Sequence, residues 1–344
     1  MLFNSFDFGF FLVIVYTLYW AMGAQRRTAQ NTLLLLSSYV FYGLWDWRFL
    51  GLLIASSLID YLAGRAIRNT TSTLQRKLWL YGSVFWNLGI IICFKYFNFF
   101  VDEFISLFSS ETSESFSIWN VIIPVGLSFY TFQTMSYTID VYRKKIQPTK
   151  SLLEFLCFVS FFPQLVAGPI VRARNFLPQL VNAPHITADR FGWGLSLAVF
   201  GLFEKVAIAD GIAAPVVNEI FGQQGILPLS TVIIGAVAFT VQILCDFSGY
   251  TLIAIGISAC LGFKLPENFR APYAALGYQD LWQRWHISMS GWFRDYLYGP
   301  IKKMTKKRTL YATMFAQIVT LVLIGIWHGA AWTFIVWGGY NALV

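Results

Sequence analysis

The sequence predicts an all-α, polytopic integral membrane protein. Three observations carry that reading. First, 57% of the 344 residues are hydrophobic and only 12% are charged, about half the ~25% charge of a soluble domain. Second, aromatic residues reach 18%, more apolar surface than 25 basic and 17 acidic side chains could keep in water. Third, apolar runs approaching the ~20 residues that cross a bilayer recur along the chain, separated by loops of alternating charge. Disorder, coiled coil and disulfide scaffold are excluded.

The runs follow in order. Phe8 to Met22 has neither a basic stretch before it nor a small-residue cleavage site after it, so it reads as a span and not a signal peptide. Thr32 to Leu44, Phe49 to Ala63, Leu78 to Val101 and Trp119 to Val141 are the next four. Arg26 and Arg27 follow the first span, and Asp46 and Arg48 cancel in the next turn. Arg65, Arg68, Arg76 and Lys77 follow the third span, and Asp102, Glu103, Glu111 and Glu114 the fourth. Arg143, Lys144, Lys145 and Lys150 come after the fifth. The positive-inside rule puts the N-terminus outside and the basic loops in the cytoplasm of a multi-pass inner (plasma) membrane protein. The net charge of +8 thus belongs to topology, and no nucleic-acid partner is expected.

Leu152 to Ala167 is short, ends at Gly168-Pro169 and is flanked by positive charge on both sides. It reads as a re-entrant hairpin, which requires a protein-lined chamber. Phe191 to Ala209 is a further span, and Leu229 to Phe263 is too long for one straight crossing. Parity with the basic stretch Lys264 to Arg308 favours one helix disrupted near Asp246-Phe247-Ser248-Gly249. Within that stretch, Asp280 to Pro300 interleaves aromatic and charged residues as amphipathic interfacial helices do. A last apolar run extends from Leu310 to the C-terminus. Cys93, Cys157, Cys245 and Cys260 lie in apolar runs without metal-ligand spacing and read as small buried hydrophobes.

Ionisable residues inside a bilayer are costly and usually functional. Here they are Asp60, Lys95, Asp140, Glu154, Glu204, Lys205, Asp246 and His328. Asp60, Lys95 and Asp140 lie near span ends, where they can snorkel or cap. Adjacent Glu204 and Lys205 point apart and cannot simply neutralise each other. Asp246 suits either the holding of a broken helix or a ligand-facing role. His185 reads as an inert loop residue. His328, between Gly325 and Gly329, is either a core histidine satisfied by a carbonyl or hydroxyl, or an acid–base group. The serine-hydrolase elbow, Walker A, zinc and dinucleotide signatures are absent from the sequence, so histidine is the best candidate acid or base and no tightly bound cofactor or metal is expected.

Several strings then occur in a fixed order: Ile123-Pro124-Val125-Gly126-Leu127-Ser128-Phe129-Tyr130-Thr131-Phe132-Gln133, Phe161-Phe162-Pro163-Gln164-Leu165, Asp246-Phe247-Ser248-Gly249-Tyr250, Trp285-His286-Ile287-Ser288 and Trp327-His328-Gly329. Together they resemble the membrane-bound O-acyltransferase family, in its branch of bacterial alginate O-acetylation and D-alanyl-lipoteichoic-acid export proteins. The resemblance implies one transmembrane domain over residues 1–344, with re-entrant and interfacial helices around a central chamber. Since family members run well past the Trp-His-Gly motif, it also implies that the family's last helices are missing.

Under the resemblance His328 is the catalytic histidine, and His286, the second motif histidine, is expected to assist catalysis on the cytoplasmic, donor-facing side. Trp285, Ser288, Trp327, Asp246 and Gln164 are expected to bind substrate. The donor would be a cytoplasmic thioester, acetyl-CoA or a phosphopantetheine carrier. The acceptor would be a hydroxyl of an extracytoplasmic polysaccharide, reached with the help of periplasmic acetyl-transfer partner proteins. The alternatives are D-alanyl transfer to teichoic acid and an acyl-group conduit without chemistry of its own.

Overall fold

A computed structural model describes residues 3–23, 25–108, 121–182, 186–304 and 309–343. No strand occurs among the described residues. The helices are α1 (Phe6–Ala21), α2 (Arg27–Asp46), α3 (Leu50–Asn69), α4 (Thr73–Ile91), α5 (Phe97–Phe108), α6 (Leu127–Tyr142), α7 (Leu152–Ser160), α8 (Phe162–Leu165) and α9 (Ala173–Val181). They continue as α10 (Ala188–Phe203), α11 (Ala214–Phe221), α12 (Leu229–Cys260), α13 (Tyr278–Arg284), α14 (Ile287–Phe293), α15 (Gly299–Met304), α16 (Leu310–His328) and α17 (Trp332–Leu343). Among the described residues three π-helical segments, Ile92–Tyr96, Glu204–Ala213 and Arg294–Tyr298, interrupt this series. Within the described residues four stretches, Arg27–Asn69, Thr73–Phe104, Leu229–Cys260 and Leu310–His328, are long and apolar enough to cross a membrane, and the chain is an all-α, multi-pass membrane protein. His185, Glu111, Glu114, Trp119, Lys306, Lys307 and Arg308 lie outside the described residues.

The chain divides into two compact units, Met1–Ser57 with Thr149–Arg270 and Leu58–Pro148 with Ala271–Val344. The first is built on aromatic packing: Phe8, Phe41, Phe161, Phe162, Phe176 and Phe263 are all buried. Leu152 to Ala167 makes no straight crossing here. Ser151 caps α7, Phe161 leaves the helical region at ψ 107, and Pro163 opens α8. The Ser38 hydroxyl receives the Phe162 N–H at 3.1 Å, so the backbone freed by the break is satisfied inside protein.

The expected disruption at Ser248-Gly249 does not occur: α12 is continuous over 32 residues. The glycines serve contact instead. A Cβ on Gly249 would lie 2.7 Å from Gly201 O, and one on Gly201 would lie 2.6 Å from Gly249 O. Gly194 and Gly256 oppose each other in the same way seven residues along, so α10 and α12 meet backbone to backbone along a seam of small residues. The departure from α geometry falls directly after α10, in Glu204–Ala213. There Glu204 accepts a hydrogen bond from Ser248, while Lys205 pairs with Asp246 at 2.6 Å and Asp210 at 2.7 Å. Both neighbours thus find partners on α12, and no ion pair joins them to each other among the described residues.

The second unit holds α6, most of whose 16 residues are buried. The predicted span Trp119 to Val141 begins as helix only at Leu127. Pro124 cannot continue a helix, and Gly126 turns the chain at φ 74. Asp60 does not snorkel: it is fully buried. It accepts hydrogen bonds from Ser83, from Asn87 at 2.8 Å and from Thr138 at 3.3 Å, and Thr134 donates to Asn87 at 3.1 Å. One carboxylate thereby ties α3 to α4 and α6. Asp140 accepts from Tyr296 at 2.8 Å and lies 3.7 Å from Lys145. Cys157 and Cys260 are buried and Cys245 is half-buried, but Cys93, expected in the core, is exposed on an outward flank.

Candidate active site

The last apolar run is two helices and not one span. Thr309 caps the start of α16, which runs for 19 residues, about 28 Å. It ends on His328, because Gly329 leaves in an extended conformation at φ −164. A Cβ on Gly329 would run into the Phe334 ring, so a side chain there is blocked by the helix that follows. α17 then packs back on α16 with Gly325 against Gly338.

A helix end leaves its last carbonyls without intrahelical partners. Here the Lys95 ammonium donates to Trp327 O and the Tyr96 hydroxyl to Ile326 O. Lys95 therefore neither snorkels nor caps its own helix; it caps α16. The Trp327 indole is held in an aromatic stack: Trp292 lies 4.2 Å from Phe132 with rings 9° apart, and Phe132 lies 5.5 Å from Trp327 at 22°. The stack is locked because Trp292 Nε1 donates to Phe132 O at 2.9 Å. Phe129 and Phe293 meet Trp327 edge-on at 6.4 and 6.1 Å.

The two histidines flank this indole. His328 is 4.9 Å from the Trp327 ring, with Trp337 at 5.2 Å and Phe334 at 6.4 Å on its other sides. The residue nevertheless ranks with the exposed ones by surface area. His286 is 6.3 Å from Trp327 and only 2% exposed. It holds a left-handed backbone at φ 43 where α14 begins, a strained conformation that costs about 1–3 kcal/mol and gathers at functional sites. Burial first, and the nearby His328 second, push its pKa down to about 3, so the ring stays neutral at physiological pH.

Of the other predicted site residues, Trp285 stacks on Tyr273 at 6.1 Å and 27°, and Ser288 sits half-buried in the first turn of α14. Asp246 and Gln164 belong to the other unit. There Asp246 is paired with Lys205, and Gln164, fully buried, donates to Phe158 O at 2.8 Å. The sequence reading singled out neither Tyr96 nor the Phe132–Trp292 stack. Phe132 was in plain view inside the Ile123 to Gln133 string, but its partner is 160 residues away.

What this arrangement can do is proton transfer: an imidazole, able to accept or donate a proton, sits at a capped helix end among aromatic rings. The model of the membrane-bound O-acyltransferase family, MBOAT, matches residues 10–344. The chain is 40% identical over 343 residues to a probable alginate O-acetylase AlgI of Azotobacter vinelandii, covering 99% of this chain and 67% of that protein. It is 33% identical over 332 residues to the peptidoglycan O-acetyltransferase of Helicobacter pylori, covering 89% and 62%. To the teichoic acid D-alanyltransferase of Bacillus subtilis it is 30% identical over 240 residues, covering 65% and 58%. The chain thus spans about two thirds, or somewhat less, of the length of these relatives. With the family's features running from residue 10 to residue 344, the chain belongs to the membrane-bound O-acyltransferase family.

Proposed function

We propose that the protein is an O-acetyltransferase that moves an acetyl group from a cytoplasmic thioester to a hydroxyl of an extracytoplasmic polysaccharide, directly or through a partner protein. The observation that carries this reading is the imidazole of His328 at the capped end of α16. Its distance from the start of that helix, about 27 Å, suits a base working far from the basic stretch before α16. Relatives named for alginate and peptidoglycan O-acetylation support the acetyl group and the polymer acceptor. The donor in this reading is acetyl-CoA or a phosphopantetheine carrier, used as substrate in the plasma membrane.

The chemistry needs few groups. The His328 imidazole takes the proton of the acceptor hydroxyl as its oxygen attacks the thioester carbonyl. The tetrahedral intermediate collapses, the C–S bond breaks, and the departing thiolate takes the proton back from the imidazolium. Ester and thiol result, and the base is restored. His286 stays neutral behind Trp327 and supports the stack on which His328 rests. One observation favours a second reading, an acyl conduit: Lys205 is paired with Asp246 and Asp210 inside apolar helices, as transport pathways often are.

His328→Ala separates the two. Loss of a general base costs about 10²- to 10⁴-fold, so polymer ester content in cells should collapse while the amount of protein in the membrane stays normal. Wild-type ester content in His328→Ala cells removes the catalytic assignment and leaves the conduit.

A further inference from the structure

The role of Lys95 is not exhausted by helix capping. The last carbonyls of α16 could be satisfied by a chain that folds back into a C-cap, but Gly329 is extended and offers nothing. Two side chains from elsewhere do the work, and they are adjacent in sequence. Lys95 reaches Trp327 O and Tyr96 reaches Ile326 O, from a segment 230 residues earlier. Both come from the π-helical segment Ile92–Tyr96, and π turns inside α-helices recur at functional sites.

Lys95 also makes a second contact with the same residue. Its ammonium lies 5.4 Å from the centroid of the Trp327 indole, within range of a cation–π attraction. One half-buried cation thus holds Trp327 by its carbonyl and by its ring. Trp327 immediately precedes His328 and packs 4.9 Å from its imidazole. A positive charge at a helix C-terminus is favourable, yet any cation along the last turn would satisfy the dipole. The double grip on the single residue before the histidine is what a generic cap lacks.

We propose that Lys95, with Tyr96 as a second arm, is the positioning residue that fixes His328 for proton transfer. The inference rests on His328 being the base. A misplacement of about 1 Å at a reacting group can cost ~10²-fold in rate, and that is the scale expected when the clamp is released.

The test measures the initial rate of ester deposition on surface polymer, per unit of membrane-resident protein, in cells producing Lys95→Met, Lys95→Gln, Lys95→Arg, Tyr96→Phe or His328→Ala. Lys95→Met should fall by about 10²-fold with protein amount and melting temperature unchanged. Lys95→Gln, which keeps a donor but loses the charge, should stay low. Lys95→Arg, which keeps both, should recover most of the rate, and Tyr96→Phe should fall by less than Lys95→Met. A wild-type rate in Lys95→Met overturns the proposal, and so does a loss explained by missing or unfolded protein. If His328→Ala keeps the wild-type rate, the proposed function itself is what fails. If His328→Ala is inactive and Lys95→Met is not, only the positioning role fails.

Discussion

Gly325→Ala should cripple the protein, whereas Gly339→Ala, one residue beyond Gly325's partner Gly338, should not. A Cβ at Gly325 would lie 2.9 Å from Gly338 Cα and 3.0 Å from Gly338 N, and would press on Phe334 O as well. Carbon atoms prefer separations of about 3.5–4.0 Å, so the shortfall is on the order of 1 Å. All three obstacles are backbone atoms, and the two helices must part to clear them. Overpacking of this kind costs about 1–3 kcal/mol. Replacing a helical glycine by alanine returns at most ~1 kcal/mol, so the clash wins. His328 lies three residues after Gly325, close to the same face of α16, and shares the displacement. The expected outcome is a lower melting temperature in detergent and a loss of ester deposition of about 10- to 100-fold. At Gly339 a Cβ meets nothing within 4 Å, so that variant should melt no lower than wild type and keep its activity. Equal melting temperatures and equal activities for the two variants would refute the reasoning.

Three further outcomes are expected. Asp60→Ala strips the acceptor from Ser83, Asn87 and Thr138; each buried polar group left unsatisfied costs about 1–3 kcal/mol, and the melting temperature should drop well below that of Asp60→Asn, with equality of the two counting against the network. His286, with its folded-state pKa depressed to about 3, binds no proton between there and ~6.5, while the unfolded chain does. Stability should therefore fall as pH drops below ~6.5, by at most ~1.4 kcal/mol per pH unit; melting curves at pH 7 and pH 5 should show the slope in wild type and a weaker one in His286→Gln. For topology, Thr71→Cys, in the exposed loop between α3 and α4 and in a background without native cysteines, should resist an impermeant thiol reagent added outside the cell, and rapid labelling would overturn the orientation read from loop charge.

Apolar length made α1, α2, α3 and α12, and the starts of α4 and α16, legible within a turn or two, because bilayer thickness leaves its mark on each run separately. What the sequence hid was the use made of its small and polar residues. Gly249 looks the same whether it breaks a helix or admits a neighbour, and only Gly201 on α10 decides between them. Asp60 sat near a predicted span end, yet Ser83, Asn87 and Thr138 make burial tolerable. At the candidate site the histidines were readable from short motifs. The Lys95 grip was not, since its target lies 232 residues on and no local pattern records such a contact. The final hairpin was missed for a related reason: Gly329 lies within an apolar run, and only its close contact with the Phe334 ring shows that a side chain is excluded there.

The buried polar face of α6 bears on how this protein is made. A segment that buries Gln133, Thr134, Thr138 and Asp140 is a poor candidate for leaving the translocon unaided, since polar groups without partners are costly in the bilayer core. Its acceptors and donors exist before it does: Asn87 and Asp60, which Thr134 and Thr138 contact, are synthesised first, on α4 and α3. Tyr296, the partner of Asp140, emerges more than 150 residues later. The order of synthesis therefore offers α6 a receptor in α3 and α4, and leaves the Asp140 end of the helix to basic Lys145 until Tyr296 is made.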